Sequence, residues 1–149
     1  MEYLVSAIVG YIIGCFQTSY LLGKALKQTD IREHGTSNAG ASNAAIVFGW
    51  KYGFIIALVD IGKTILAVTI IGLVYPGDHI LKYIAGLSCI LGHIFPFYMQ
   101  FKGGKGFAPY AGLVMAINWR WGLAFIFICI IITVVTNYVS VAALVSTGF

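Results

Sequence analysis

Lys102 and Lys105 stand among Gly103, Gly104 and Gly106 in the stretch LGHIFPFYMQFKGGKGFAPYA, residues 91–111. Three glycines permit φ > 0 and can turn their N–H groups into one concavity. Two ammonium groups beside them add fixed positive charge. At the edge of an apolar segment, such a loop suits a phosphate or another multiply charged oxyanion. The plain alternative is a basic loop that obeys the positive-inside rule and does nothing more. It is not a Walker A loop, because no Ser or Thr follows the lysine and the spacing differs. His93 and Pro96 lead into it from the preceding apolar segment.

A second polar stretch, HGTSNAGASN, holds Gly35, Thr36, Asn38, Gly40, Ser42 and Asn43. Small residues, hydroxyls and amides suit a tight backbone with many donors, or an ordinary solvated turn. A third patch, Thr136 to Ser140, follows the last long apolar run. Within apolar sequence, Asp60 and Lys63 are spaced i, i+3 and share one helix face. A charge inside a spanning helix costs roughly 2.5–3.5 kcal/mol on insertion scales, so this pair should face the bundle interior or a polar cavity. Lys63 lies too far along its segment to snorkel comfortably. Cys15, Cys89 and Cys129 sit singly in apolar surroundings with no C-x-x-C pair, which reads as buried thiols rather than a metal site or a disulfide.

The elements that must position these residues belong in a bilayer. The 149-residue chain is 60% hydrophobic and 9% charged, with a mean hydropathy of +0.92; a soluble domain carries about 25% charged residues. We expect a single all-α integral membrane domain over residues 1–149, a polytopic helix bundle of about five transmembrane segments. These are residues 3–26, 53–74, 80–101, a short one over 107–117 that is tilted or only partly spanning, and 122–135. Gly10 and Gly14 have GxxxG spacing, either for close helix packing or by accident on a lipid-facing side. The net charge of +4 comes mostly from segment ends, and no basic helix points to nucleic acid. The N-terminus lacks the basic start of a signal peptide. Alternation of crossings puts all three polar patches on one side, together with Lys24, Lys27, Arg32, Lys51, Lys102 and Lys105. The positive-inside rule makes that side cytoplasmic and the N-terminus external. The dozen residues from Tyr138 are too few to cross a bilayer of about 30 Å, which reads as a partial protein.

With these motifs in view, the sequence resembles the bacterial acyl-phosphate-dependent glycerol-3-phosphate acyltransferases. DIREHGTSNAGASN is similar to that family's G-S-G-N-x-G-x-T-N loop, and LGHIFPFYMQFKGGKG to its G-H-x-x-P…F-x-G-G-K-G motif. Asp60 and Lys63 match its F-D-x-x-K-G helix, and TNYVSVAAL its late Y-x-S-L segment. The resemblance implies seven membrane helices at full length, a bacterial plasma membrane, no metal and no cofactor. It implies acyl phosphate as donor, glycerol 3-phosphate as acceptor, membrane lipid as surroundings and a product of 1-acylglycerol 3-phosphate. Carried onto this chain, it makes Thr36, Asn43, His93 and Lys105 the catalytic set. Gly35, Asn38, Gly40, Ser42, Lys63, Lys102, Gly103, Gly104, Gly106 and Ser140 become the substrate- and phosphate-binding set. The chain departs from the family pattern with Thr36 for Ser, Ser37 for Gly, Ile46 for Arg and Pro109 for Thr, and without the last helices and their His/Asn motif. The donor is already activated, so the protein must chiefly hold two mutually repelling anions and align hydroxyl with carbonyl. His93 is either a general base or a residue that orients the loop through its backbone carbonyl. The rival readings are an impaired paralogue or fragment that binds lipid or partner helices without catalysis, and a small transporter subunit resting on Asp60 and Lys63.

Overall fold

An apolar run in a bilayer must satisfy its own backbone, and here each run does so as a helix. The computed structural model describes residues 1–136. Its helices are α1 (Glu2–Gly14), α2 (Thr18–Lys27), α3 (Ala41–Phe48), α4 (Trp50–Val74), α5 (His79–Ile94), α6 (Phe107–Ile117) and α7 (Trp119–Thr136), and there is no strand among the described residues. Four stretches are long and apolar enough to cross a membrane: Glu2–Lys27, Trp50–Val74, His79–Met99 and Trp119–Thr136. With 11 residues, α6 rises only about 16 Å and is too short to span. The third polar patch beyond Thr136, with Ser140, and the end of the chain lie outside the described residues.

Three boundaries differ from the sequence expectation. The first segment is not one helix: it breaks at residues 15–17. The carbonyls freed at the break find donors, Tyr98 Oη donating to Cys15 O at 2.8 Å and Lys63 Nζ to Phe16 O at 2.7 Å. The helix of the third expected segment, α5, ends at Ile94 rather than near residue 101, because Pro96 cannot continue it. A 3-10 turn at Phe97–Met99 follows, then left-handed residues Gln100 and Phe101. The polar stretch after α2 also contains a helix that turn-rich composition concealed: Gly40 opens α3, and Gly49 at φ 98° separates it from α4.

Packing then fixes the site's walls. Gly10 and Gly14 of α1 lie directly on the backbone of Ala85 and Cys89 in α5, and Gly92 returns the contact against Tyr11 and Cys15. Added methyl groups there would meet backbone, so the GxxxG spacing marks a helix-packing face. That contact holds the end of α5 that carries His93. Ile31, Ala39, Ala44, Ile56 and Met99 form a buried cluster beneath the polar stretch, so both loops rest on one apolar floor. On the outside, Phe54, Leu58 and Leu66 of α4 and Phe127, Ile131 and Val134 of α7 are exposed, as a lipid-facing surface requires.

Candidate functional site

The first loop is built around one amide. Asn43, in the first turn of α3, is fully buried. Its Nδ2 donates to the carbonyls of Ile31, His34 and Asn38 at 3.0, 3.0 and 2.8 Å, and its Oδ1 accepts from Thr36 N at 2.7 Å. Its hydrogen-bonding capacity is spent on folding residues 31–38 into a ring. Gly35 and Ser37 of that ring take positive φ, 60° and 56°. Ser37 therefore holds the left-handed conformation its type disfavours, at a cost of roughly 1 kcal/mol. Asn38 completes the turn, with Oδ1 accepting from Gly40 N at 2.9 Å and Nδ2 donating to Thr36 Oγ1 at 3.0 Å. Because the exposed Thr36 hydroxyl accepts from Asn38, its own proton stays available to an anion. Ser42 is exposed one residue before Asn43, in a helix start with no side-chain cap. Ile46 is exposed one turn further along the same face.

The second loop corrects an expectation about its glycines. Gly103 N donates to Ile94 O at 2.9 Å and Gly104 N to His93 O at 3.1 Å, so these N–H groups close the end of α5 rather than line a concavity. Glycine is needed there for close approach: a Cβ on Gly103 would meet the carbonyl of His93, and one on Gly104 the His93 ring. Of the three, Gly106 alone has positive φ, 81°, and it starts α6 without a side-chain cap. Pro109 falls in the first turn of α6, where no intrahelical N–H is lost. Lys102 and Lys105 are exposed, and neither ammonium has a hydrogen bond or ion pair among the described residues.

The two loops touch. Ala39 N donates to Gly103 O at 3.3 Å, while Ser19 Oγ holds Ala39 O at 2.5 Å. Both α3 and α6 begin within four residues of that contact, so two uncapped N-termini and Lys105 are tied to one junction. Arg32 clamps it. Its Nε and Nη2 bond Asp30 in a fork, at 3.0 and 2.6 Å, while Nη1 donates to Met99 O at 2.7 Å and Lys102 O at 3.1 Å. The hydrogen bonds from Arg32 hold the Asp30 carboxyl below the usual carboxylate range, against a smaller opposing effect of burial. The D-x-R spacing of Asp30 and Arg32 is the sequence signal of this local fork.

Beneath the second loop lies a polar centre inside the bundle. Lys63 Nζ pairs with Asp60 Oδ1 at 2.9 Å, as the i, i+3 spacing predicted. It also contacts His93 Nδ1 at 2.9 Å and donates to Phe16 O at 2.7 Å. Asp60, His93 and the Phe16 carbonyl surround its amine, so Lys63 joins α4 to the α1–α2 break and to α5 instead of facing the loop junction. Gln17 Nε2 adds a bond to His93 O at 2.7 Å, a link that nothing in the local sequence announces. A groove of about 480 Å³, lined by Ile13, Phe16, Val59, Gly62, Lys63 and Leu66, runs along the seam of α1 and α4 and reaches this centre.

The described members of both expected residue sets thus fall into two connected groups. Gly35, Thr36, Asn38, Gly40, Ser42, Asn43, Lys102, Gly103, Gly104, Lys105 and Gly106 belong to the two touching loops. His93 and Lys63 lie under them, joined to the second loop through His93 O and Gly104 N.

Comparison with known proteins covers nearly the whole chain. A family model described as glycerol-3-phosphate acyltransferase matches residues 4–149. Glycerol-3-phosphate acyltransferase 1 of Oceanobacillus iheyensis is 41% identical, with 97% of this chain and 72% of the relative aligned. The glycerol-3-phosphate acyltransferase of Pelagibacter ubique is 39% identical over 99% of this chain and 75% of its own length. Crystal structures of PlsY (YgiH), an integral membrane glycerol 3-phosphate acyltransferase, superimpose with TM-scores of 0.90 in the glycerol 3-phosphate form and 0.87 in the lysophosphatidic acid form. They share 31% and 28% identity with this chain, cover 99% of it and are themselves covered to 73% and 72%.

Proposed function

The chain belongs to the glycerol-3-phosphate acyltransferase family, and we infer from that membership that the two touching loops are its active site. It is an integral membrane acyltransferase of phospholipid synthesis, transferring a fatty acyl group from acyl phosphate to glycerol 3-phosphate to give 1-acylglycerol 3-phosphate. The observation that carries the site assignment is the Ala39–Gly103 junction, which ties two uncapped helix starts and Lys105, unpaired among the described residues, to one place. Phosphate anions are stabilised by such donors and by fixed cations, with no reorganisation needed at the moment of reaction.

In this reading Thr36, Ser42 and the first turn of α3 receive one phosphate, with Gly35, Asn38 and Gly40 shaping the backbone that presents them. Lys105, Lys102 and the start of α6 receive the other, on the surface that Gly103, Gly104 and Gly106 allow. Asn43 is a positioning residue, because its side chain is spent on the loop. Lys63 is one also. The acyl chain lies in the groove between α1 and α4, continuous with lipid, and Ser140 joins the site from the last patch. Residues 1–149 act as a single domain in a bacterial plasma membrane. The N-terminus is external and the loops are cytoplasmic, as six of the nine basic residues lie on the loop side.

No observation favours a lipid-binding or transport role over catalysis. The test is transfer of label from glycerol 3-phosphate into lipid by the purified chain in bilayers. Product should form only when acyl phosphate is supplied; its absence with both substrates present overturns the reading.

A further inference from the structure

The buried Asp60–Lys63–His93 group is charged, inside the membrane and not explained by holding helices together alone. The relative exposures are 1%, 6% and 2%, and charge at that depth is costly. A hydrophobic trio would pack the same space. The geometry instead fixes where one proton sits. Lys63 Nζ lies 2.9 Å from the Asp60 carboxylate and donates to Phe16 O at 2.7 Å, whereas His93 Nδ1 is 3.6 Å from that carboxylate, so the amine sits between two acceptors and carries the proton. Lys63 is then an ammonium, a group with no lone pair. His93 Nδ1, at 2.9 Å from it, must accept. An imidazole that accepts at Nδ1 carries its proton on Nε2. That Nε2 lies against Gly104, so close that a Cβ there would strike it, and it has no partner among the described residues.

We propose that Asp60 and Lys63 are positioning residues that lock His93 in the Nε2–H tautomer, so that its ring presents a hydrogen-bond donor to the glycine-lysine loop and cannot serve as a general base. Asp60 pairs with the ammonium, the ammonium holds Nδ1, and the Phe16 carbonyl accepts from the amine at the α1–α2 break. The ligand chemistry that such a donor fits is an oxyanion or a carbonyl oxygen at the loop. This deepens the acyltransferase reading and rests on it for the choice of assay. The tautomer is a property of the resting protein and does not rest on it.

Two measurements test the proposal. The first is nitrogen-15 NMR of the full chain in lipid with labelled histidine. The chain has three histidines, and the His93 signals are those lost in His93→Gln. The expected spectrum has a pyridine-type Nδ1 and a pyrrole-type Nε2, and Lys63→Met should mix the tautomers. A pyrrole-type Nδ1 or an imidazolium in the parent overturns the proposal whether or not the chain transfers acyl groups. The second is transfer kinetics. Glutamine places an amide N–H near the Nε2 position but has no basic nitrogen. His93→Gln should therefore keep at least roughly a tenth of the parent kcat, while His93→Ala falls by a further factor of about 10 or more. Equal loss in both variants, with unfolding temperatures like the parent's, overturns the donor role. No transfer by the parent would instead remove the assigned activity and leave the spectrum to decide the tautomer.

Discussion

At the scale of single residues, the site divides between groups aimed outward and groups spent on the loops. Lys105 has the first character, since its ammonium has no partner among the described residues. A charge-assisted hydrogen bond to phosphate is worth roughly 1.5–3 kcal/mol, so Lys105→Ala should raise the KM for glycerol 3-phosphate by about 10- to 150-fold. Lys105→Arg should recover part of that loss, since a planar fork does not reproduce a compact ammonium. Ile46→Arg, measured in the same assay, should lower the KM. It puts a guanidinium on an exposed position one turn from Ser42, behind the open start of α3. Unchanged acceptor dependence in Lys105→Ala would take the acceptor phosphate away from the second loop. Residue types singled out Lys105 in the sequence, but they did not show that Gly103 and Gly104 are needed for close approach to His93. They did not disclose the role of Asn43. An amide in a Ser/Asn/Gly run looks alike whether it faces solvent or gathers three carbonyls beneath the loop.

At the scale of elements, long apolar runs announced the helices, while their interruptions were hidden. The break between α1 and α2 depends on donors 47 and 83 residues away, Lys63 and Tyr98. No local pattern could signal it. The Arg32 clamp between the loops carries a pH dependence. Asp30 has its folded pKa below the unfolded value. Its contribution is therefore complete above the ordinary carboxylate pKa of about 3.9 and is lost as pH falls through the lower folded value. Hydrogen exchange of residues 29–40 should be governed by one opening free energy from pH 7 to about 4.5 and open more readily below it. In Asp30→Asn that acid step should vanish; a step of the same size in the variant would remove Asp30 as its origin. The seam of α1 and α4 gives another prediction. A Cβ at Gly62 meets nothing within 4 Å, although the residue lines the apolar groove. Gly62→Leu should thus fill the groove without disturbing the bundle, lowering kcat/KM for long acyl phosphates by about tenfold while short ones keep their rate. An unchanged chain-length profile would place the acyl chain elsewhere.

At the scale of the whole molecule, the arrangement depends on which way the bundle faces. Glycine contacts lock α1 to α5, so the loop after α2 and the loop after α5 emerge together, and Arg32 and Ala39 join them. Whichever side receives one loop receives the other. The proposed cytoplasmic side rests on charge: Lys24, Lys27, Arg32, Lys51, Lys102 and Lys105 cluster with these loops, and the positive-inside rule favours retention of such residues in the cytoplasm. The proposed placement suits a reaction between a lipid-soluble acyl donor and a water-soluble phosphate, because the acyl chain can stay among helices while the acceptor arrives from the aqueous side that the loops face. The orientation is testable with few background signals, since Cys15, Cys89 and Cys129 are all buried. Cysteines introduced singly for Glu2, Asp78 and Lys102 should split into two groups with an impermeant maleimide. Positions 2 and 78 should label in intact cells, and position 102 only after the membrane is opened. Labelling of position 102 in intact cells, with positions 2 and 78 protected, would invert the bundle and put the active site on the external face.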